Sequence, residues 1–255
     1  MELDLGLALT LAAVIFVASV VNGVAGFGFA LVAVAALAVV LDPRPAVVLM
    51  SVITPLLQTF QLRYHWEYRS VTPRLVPMLV AAGIGTIVGS NLLVILPGYV
   101  LAIALGLFAL WYVASSLRTS PMLVTAATER RIAPIIGGAA GVSNGALGAS
   151  GPILGSYLLA IGLTGRSFVF AISIAFAVMS AIRVATLAVL GEYTLTVLLL
   201  GLGLAVPAWL GQRLGFWLQG RLSAQAFQRI ILIALLLASA NLLYRGVTQA
   251  VAALG

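Results

Sequence analysis

Long apolar stretches separated by short polar turns make up most of the chain. They lie approximately at residues 5–21, 29–41, 46–62, 74–96, 98–117, 132–147, 152–163, 167–190, 194–219 and 224–244. A helix needs about 20 apolar residues to span a bilayer, and most of the stretches approach that length. Stretches 29–41 and 152–163 are too short, and each follows a glycine-rich interruption. The pattern predicts an all-α polytopic membrane protein that contains two broken helix pairs.

Each broken pair can be arranged in two ways. As one straight helix, residues 5–41 would be roughly 55 Å long, which is too long for a single crossing. A re-entrant hairpin is favoured, because irregular backbone is tolerated at membrane depth where protein or a water-filled cavity surrounds it. Two full crossings per pair are the rival topology, and the same choice applies to residues 132–163.

The two interruptions are copies of one motif. The sequence NGVAGFG at residues 22–28 recurs as NGALGAS at residues 144–150, so equivalent positions are 122 residues apart. A glycine break that occurs once per half is typical of two-repeat transporters whose binding site lies at the breaks. We therefore divide the chain into a first membrane repeat, 1–118, a linker, 119–130, and a second membrane repeat, 131–255.

Arginines in the short loops orient the chain. Two loops that are separated by two spans must lie on the same side, and they hold Arg63, Arg69 and Arg74, and Arg118, Arg130 and Arg131. Short basic loops face the cytoplasm, which puts both termini outside and leaves Arg44 and Arg245 as outer exceptions. The two hairpins then enter from opposite sides. The prediction is two inverted repeats, each a broken or re-entrant helix pair plus three transmembrane helices.

Composition agrees with lipid as the solvent. Hydrophobic residues make up 63% of the chain and charged residues 7%, whereas soluble domains are about 45–50% apolar and about 25% charged. The formal charge of +7 comes from arginine alone, and its position between apolar stretches indicates membrane topology rather than nucleic-acid binding. With no cysteine and one histidine, the sequence predicts no metal centre and no cofactor.

The glycine breaks are the first candidate site. A helix that begins after a break directs free N–H groups and a positive partial charge into the membrane, and such termini attract anions. The predicted binding residues are Asn22, Gly26, Phe27, Gly28 and Phe29 in the first half and Asn144, Gly148, Ala149, Ser150, Gly151 and Pro152 in the second. The alternative is that the small residues only allow close helix packing.

A charged residue within an apolar stretch is the second candidate. Arg183 lies inside stretch 167–190, where a charge is costly unless it faces a polar interior. At the 122-residue offset its counterpart is Gln61, and the counterpart of Ser180 is Gln58, so a polar face recurs in both halves. Arg183 could neutralise an anion by a bidentate contact, or it could extend to the outer headgroups.

Three function classes other than a carrier can be compared with the sequence: a protease, a passive channel and a regulatory subunit. Residues 148–151 match the G-x-S-G of intramembrane serine proteases, but the only histidine, His65, lies in a basic loop, so no base is expected beside Ser150 and no enzyme is predicted. A passive anion channel of the same fold stays open, as does a regulatory subunit that transports nothing. No carboxylate lies within a stretch, and an anion leaves a cell that is negative inside without a coupling ion.

The two motifs resemble the TauE/SafE sulfite exporter family, also called TSUP. The resemblance rests on GVAGFGF at residues 23–29 and GALGASGP at residues 145–152, followed by Tyr157-Leu158 and Gly162, and it covers nearly the whole chain. It implies a transporter of the bacterial inner membrane that exports sulfite or an organosulfonate. Alternating access around the breaks would suit that function, and a homodimer stays open.

Overall fold

Helices account for nearly all of the described chain. The computed structural model describes residues 5–25, 29–116, 124–218 and 224–254. Within these ranges there is no strand. The elements are α1 (Leu5–Ala25), α2 (Phe29–Leu41), α3 (Pro43–Tyr64), a 3₁₀-helix (Trp66–Val71), α4 (Thr72–Ile95), α5 (Gly98–Ser116), α6 (Ala126–Leu147), α7 (Gly151–Ala160), α8 (Gly165–Val189), α9 (Leu195–Leu218) and α10 (Ala224–Leu254).

Seven segments of the described chain are long and apolar enough to cross a membrane. They are Gly6–Val24, Pro43–Arg63, Trp66–Ile95, Gly98–Ser116, Gly165–Val189, Leu195–Leu218 and Ile231–Ala253. This confirms an all-α polytopic membrane protein. Large apolar side chains on several of these helices are exposed on the outside of the bundle, as contact with lipid requires.

The two short helices predicted after the breaks are present. α2 has 13 residues and α7 has 10, so at 1.5 Å per residue they are roughly 20 Å and 15 Å long. The helices before the breaks, α1 and α6, have 21 and 22 residues. Each break therefore joins a helix of spanning length to a helix of about half that length, rather than two equal limbs.

Two predicted boundaries differ from the structure. α6 begins at Ala126, with the hydroxyl of Thr125 accepting a backbone N–H at its first turn, so residues 126–130 of the predicted linker are helical. α10 continues to Leu254, well beyond the predicted end at residue 244. The start of α6 contains charged residues such as Glu129 and Arg130, which an apolarity pattern does not detect. The added part of α10, residues 245–254, is mostly apolar beyond Arg245, so the predicted stretch ended too early.

Helices from the two halves pack in exchanged pairs. α1 packs on α9 and α6 packs on α4, so the first helix of each half lies on the fourth helix of the other. α3 packs against α8, and α5 against α10. At the 122-residue offset, the pairing of α1 with α9 is equivalent to that of α6 with α4. In the other two pairings each helix packs against its own equivalent in the other half. This agrees with a duplicated unit, while the division into two inverted repeats stays a prediction.

Glycine allows the first two of these pairings. At several glycines an added Cβ would overlap a backbone carbonyl of the facing helix: Gly23 on α1, Gly85 and Gly89 on α4, Gly137, Gly141 and Gly145 on α6, and Gly211 and Gly215 on α9. The backbones thus approach more closely than any side chain would permit. Gly23 and Gly145 belong to the repeated motif, so part of that motif serves packing.

Among the described residues, four ion pairs lie at the two ends of the bundle. They are Arg44–Glu192 and Arg245–Asp42 at one end, and Arg74–Glu129 and Arg166–Glu67 at the other. The loop arginines predicted to lie outside, Arg44 and Arg245, each have an acidic partner, so neither adds net positive charge to that end. We call the end with Arg44 the Arg44 end, and the opposite one the Arg74 end.

Two of the ion pairs cross between the halves. Arg44 and Arg166 are equivalent positions in the first turns of α3 and α8. Arg44 binds Glu192, which follows α8, and Arg166 contacts Glu67, which follows α3. The start of each helix therefore lies beside the end of the other, and α3 and α8 run antiparallel.

We predict that Gly141→Ala destabilises the protein. Its Cβ would overlap the carbonyl oxygen of Ala82, and overpacking of this kind costs about 1–3 kcal/mol. Gly138→Ala on the same helix is the matched control, because a Cβ there meets no atom within 4 Å and alanine favours helix by about 1 kcal/mol. Thermal unfolding of the purified variants in detergent should show a lower midpoint for Gly141→Ala only. Equal midpoints would contradict close backbone packing of α4 and α6.

Candidate functional site

The second glycine break has a defined backbone. α6 ends at Leu147, and Gly148 follows with φ of 68°. Its N–H donates to the carbonyl oxygen of Asn144 over 3.0 Å, which is the left-handed glycine cap common at helix ends. α7 begins at Gly151 with Pro152 in its first turn, where a missing N–H is harmless. The sequence G-A-S-G-P thus ends one helix and starts the next.

Buried polar groups surround this break. The hydroxyl of Ser143 donates to the carbonyl oxygen of Ala149. Ser150, the residue before α7, is fully buried, and its hydroxyl neither caps the helix nor bonds to any other group in the described part of the chain. The first turn of α7 therefore has no side-chain cap from Ser150, and a hydroxyl without a partner lies beside it.

The first break lies between Asn22 on α1 and the start of α2. The predicted site residues Gly26, Phe27 and Gly28 lie outside the described residues, as does the side chain of Phe29. Asn22 and its equivalent Asn144 are 3% and 4% exposed, and the side-chain nitrogen of each lacks a hydrogen-bond partner. The two asparagines of the repeated motif thus share burial and an unused donor group.

One small cavity brings the two halves together. It is lined by Asn22, Ala30, Leu31, Thr54, Gln58, Asn144, Gly151 and Phe176. Thr54 and Phe176 lie near the middle of α3 and α8, so the cavity is remote from both ends of these helices. It offers the centre of a water molecule about 10 Å³ of free space, which is close to the minimum for holding one water.

Arg183 lies behind one wall of this cavity. Its side chain is 1% exposed, so the predicted alternative of extension to the headgroups is wrong. Nη1 donates to the carbonyl oxygen of Asn144 over 3.0 Å, and Nε has no partner. A Cβ on Gly148 would lie 3.4 Å from Nη1. The guanidinium therefore touches the backbone of the second break.

Arg183 has no carboxylate partner among the described residues. Each of the four described carboxylates, Asp42, Glu67, Glu129 and Glu192, pairs with a different arginine. Tyr193 is electrostatically coupled to Arg183, but burial raises the pKa of its phenol, whose oxygen lies 2.6 Å from the Ser51 hydroxyl. The phenol stays neutral and does not balance the positive charge.

The other predicted polar positions differ in what they contact. Gln58 lines the cavity, and its side-chain oxygen lacks a partner. Gln61 accepts a hydrogen bond of 3.0 Å from the Ser173 hydroxyl and does not line the cavity. Ser180 donates to the carbonyl oxygen of Ala177 within its own helix. The predicted polar face therefore divides into one cavity residue and two residues that bond elsewhere.

Sequence reasoning missed four residues of the cavity wall, namely Ala30, Leu31, Thr54 and Phe176. Thr54 and Phe176 are equivalent at the 122-residue offset, and each precedes a predicted polar position, Gln58 or Ser180, by one helical turn. The offset and the helical period together would have identified them. The apolar ones have no local signal of their own, because their side chains resemble those in the rest of the apolar stretches.

The break does not contain the partners of a serine protease. The Ser150 hydroxyl has no hydrogen-bond partner, so no histidine contacts it as a base. No cluster of three histidine or acidic side chains able to hold a metal occurs in the part of the chain that the structure describes. The arrangement consists of amide, hydroxyl and guanidinium donors, which suits binding of an anion rather than covalent chemistry.

Comparison with known families identifies the group to which this arrangement belongs. A family model described as sulfite exporter TauE/SafE matches residues 11–242. The chain belongs to the TauE/SafE family. It is therefore a multi-pass membrane protein of a transporter family, and the family implies a sulfur-containing anion as its substrate. Comparisons with curated proteins and with solved structures give no match.

We predict that Ser150→Ala leaves this TauE/SafE protein as stable as the wild type or more stable. The hydroxyl is buried without a described hydrogen-bond partner. In the wild type it loses its contact with water and gains no hydrogen bond in return, and alanine removes that cost. Ser143→Ala is the matched control, because its loss leaves the buried carbonyl of Ala149 unpaired, at a cost of about 1–3 kcal/mol. Thermal unfolding without added anion should lower the midpoint for Ser143→Ala only. An equal loss in both variants would mean that Ser150 has a structural partner.

Proposed function

We propose that this protein exports sulfite, or a closely related small sulfur oxyanion, by alternating access through the cavity between the two glycine breaks. The observation that carries the proposal is the buried guanidinium of Arg183, which has no described carboxylate partner and contacts the backbone of a residue whose side chain lines the cavity. The TauE/SafE family supports the sulfur anion as cargo.

The charge of Arg183 is the first supporting argument. A buried charge is costly unless it is paired and hydrogen-bonded, and Nε of this guanidinium lacks any partner. An oxyanion supplies both the opposite charge and acceptor oxygens, and charge-assisted contacts of this kind are among the strongest hydrogen bonds in proteins. Binding of an anion would therefore stabilise Arg183, whose positive charge no described residue compensates.

Unused donors around the cavity are the second argument. The side-chain nitrogens of Asn22 and Asn144 and the hydroxyl of Ser150 are buried without partners, and each such group costs about 1–3 kcal/mol. The N-terminus of α7 adds backbone N–H groups at Gly151 and beyond. These donors come from both halves and suit the oxygens of a single anion.

The closed state of the cavity supports a carrier over an open pore. About 10 Å³ of free space does not admit an anion of four heavy atoms, so binding requires the helices to move. The exchanged pairing of α1 with α9 and of α6 with α4 gives two units that could rock against each other around the breaks. Inverted repeats would make the inward-open and outward-open states mirror each other.

The membrane potential can provide the driving force. With the Arg74 end in the cytoplasm of a bacterial inner membrane, as the basic loops favour, each negative charge that moves outward gains about 2.3 kcal/mol per 100 mV. Export of an anion then needs neither a cofactor nor a coupling ion. Both termini would lie outside.

We predict that Arg183→Gln abolishes sulfite binding but not folding. Glutamine is the residue at the equivalent position, Gln61, and it removes a buried charge, so the midpoint without sulfite should be unchanged or higher. Sulfite should raise the thermal midpoint of the wild type by mass action and leave that of Arg183→Gln unchanged, which corresponds to at least a tenfold loss of affinity, or about 1.4 kcal/mol.

The control for charge is Arg166→Gln. It removes one arginine from an exposed contact with Glu67 and should keep the full sulfite response. Retention of the wild-type response by Arg183→Gln would contradict the proposed role of the guanidinium.

We also predict that Gly151→Val blocks sulfite efflux. Gly151 lines the cavity, and valine would fill space that the anion needs. Gly203→Val is the matched control, because a Cβ at that exposed position on α9 meets no atom within 4 Å. Efflux from proteoliposomes should stop only in Gly151→Val. In the wild type the initial rate should saturate with internal sulfite, whereas a rate that rises in proportion would favour the channel.

A further inference from the structure

Two pairs of equivalent positions line the cavity from both halves. Asn22 and Asn144 are equivalent and chemically identical. Thr54 and Phe176 are also equivalent, but one presents a small hydroxyl side chain and the other a phenyl ring. On α8 the cavity is therefore lined by a bulky apolar ring, at the position where α3 presents a small hydroxyl side chain.

The ring of Phe176 is held in place from behind. Phe176 is 8% exposed and belongs to a buried apolar cluster that α7 and α8 form with α4 and α6, and Leu154, Leu158 and Ile172 belong to the same cluster. Such cores are close-packed, so the ring cannot turn out of the cavity without displacing its neighbours. Thr54, which also lines the cavity, is fixed as well, because its hydroxyl donates to the carbonyl oxygen of Met50 over 2.7 Å.

An anion in this cavity has two different sides. With its oxygens on the side-chain nitrogens of Asn22 and Asn144, the anion would present its remaining side to the other lining residues, of which Phe176 is the largest. Sulfite presents only a lone pair in that direction, whereas a sulfonate presents a carbon substituent. The space taken by the ring is the space that such a substituent requires.

We infer that Phe176 is the residue that sets substrate size, and that it restricts the site to small inorganic sulfur oxyanions while excluding organosulfonates with longer chains. The inference rests on the proposed function, since it concerns the same site. It names one of the two cargo classes, sulfite against organosulfonate. A pocket that rejects one additional methylene by overlap discriminates by about tenfold or more.

The test uses anions that share a head group and differ in length. Binding of sulfite, methanesulfonate and 1-propanesulfonate is measured by calorimetry on the purified full-length chain in detergent. The wild type should bind sulfite at least tenfold more tightly than methanesulfonate, and 1-propanesulfonate should bind more weakly still. Phe176→Thr, which copies Thr54, should raise the affinity for 1-propanesulfonate relative to sulfite at least tenfold.

A second variant guards against loss of folding. Phe176→Leu keeps an apolar side chain in the cluster while shortening it, and it should shift the preference in the same direction by a smaller factor, seen first with methanesulfonate. If Phe176→Thr does not fold, the shift in Phe176→Leu decides the question.

The possible outcomes distinguish a failure of this inference from a failure of the proposed function. A wild type that binds sulfite and 1-propanesulfonate equally, or variants whose preference is unchanged, would overturn the role of Phe176 and leave sulfite export intact. A wild type that binds none of the three anions would overturn the proposed function, and the inference with it.

Discussion

The structure depends on the burial of one guanidinium among apolar helices. A charge in that position must be compensated, and the guanidinium of Arg183 donates only a single described hydrogen bond, from Nη1 to the carbonyl oxygen of Asn144. Because that carbonyl also accepts the N–H of Gly148, the charge and the helix break share one acceptor. Under the proposed function, an anion that binds near Arg183 would act on both at once.

Close backbone packing fixes where that break can lie. Gly23 and Gly145, which precede the two breaks, lie against α9 and α4 without room for a Cβ. Each break is thereby attached to a long helix of the opposite half, while the half-length helices α2 and α7 continue into the cavity wall. Motion of one half would move the break of the other, which is the mechanical connection that alternating access needs.

Much of this arrangement could be predicted from the sequence. The lengths of the apolar stretches indicated the spans and the two short helices, and the repeated NG motif located Asn22 and Asn144, which line one cavity. The sequence also marked Arg183, but its burial and contact with Asn144 depend on the packing of α8 against α6. Phe176 escaped notice because an apolar side chain on an apolar helix has no local signal, and only the offset to Thr54 connects it to the site. Ser180 looked like a ligand but bonds within its own helix.

The two ion pairs that cross between the halves make each half depend on the other. Arg44 pairs with Glu192, which follows α8, and Arg166 pairs with Glu67, which follows α3. The acidic partner of each arginine therefore comes from the other half. A single half, expressed alone, would leave its arginine without the acidic partner that the other half supplies in this structure. Joining both halves in one chain makes these contacts intramolecular, and it leaves the halves free to differ elsewhere, as the threonine and phenylalanine of the cavity do.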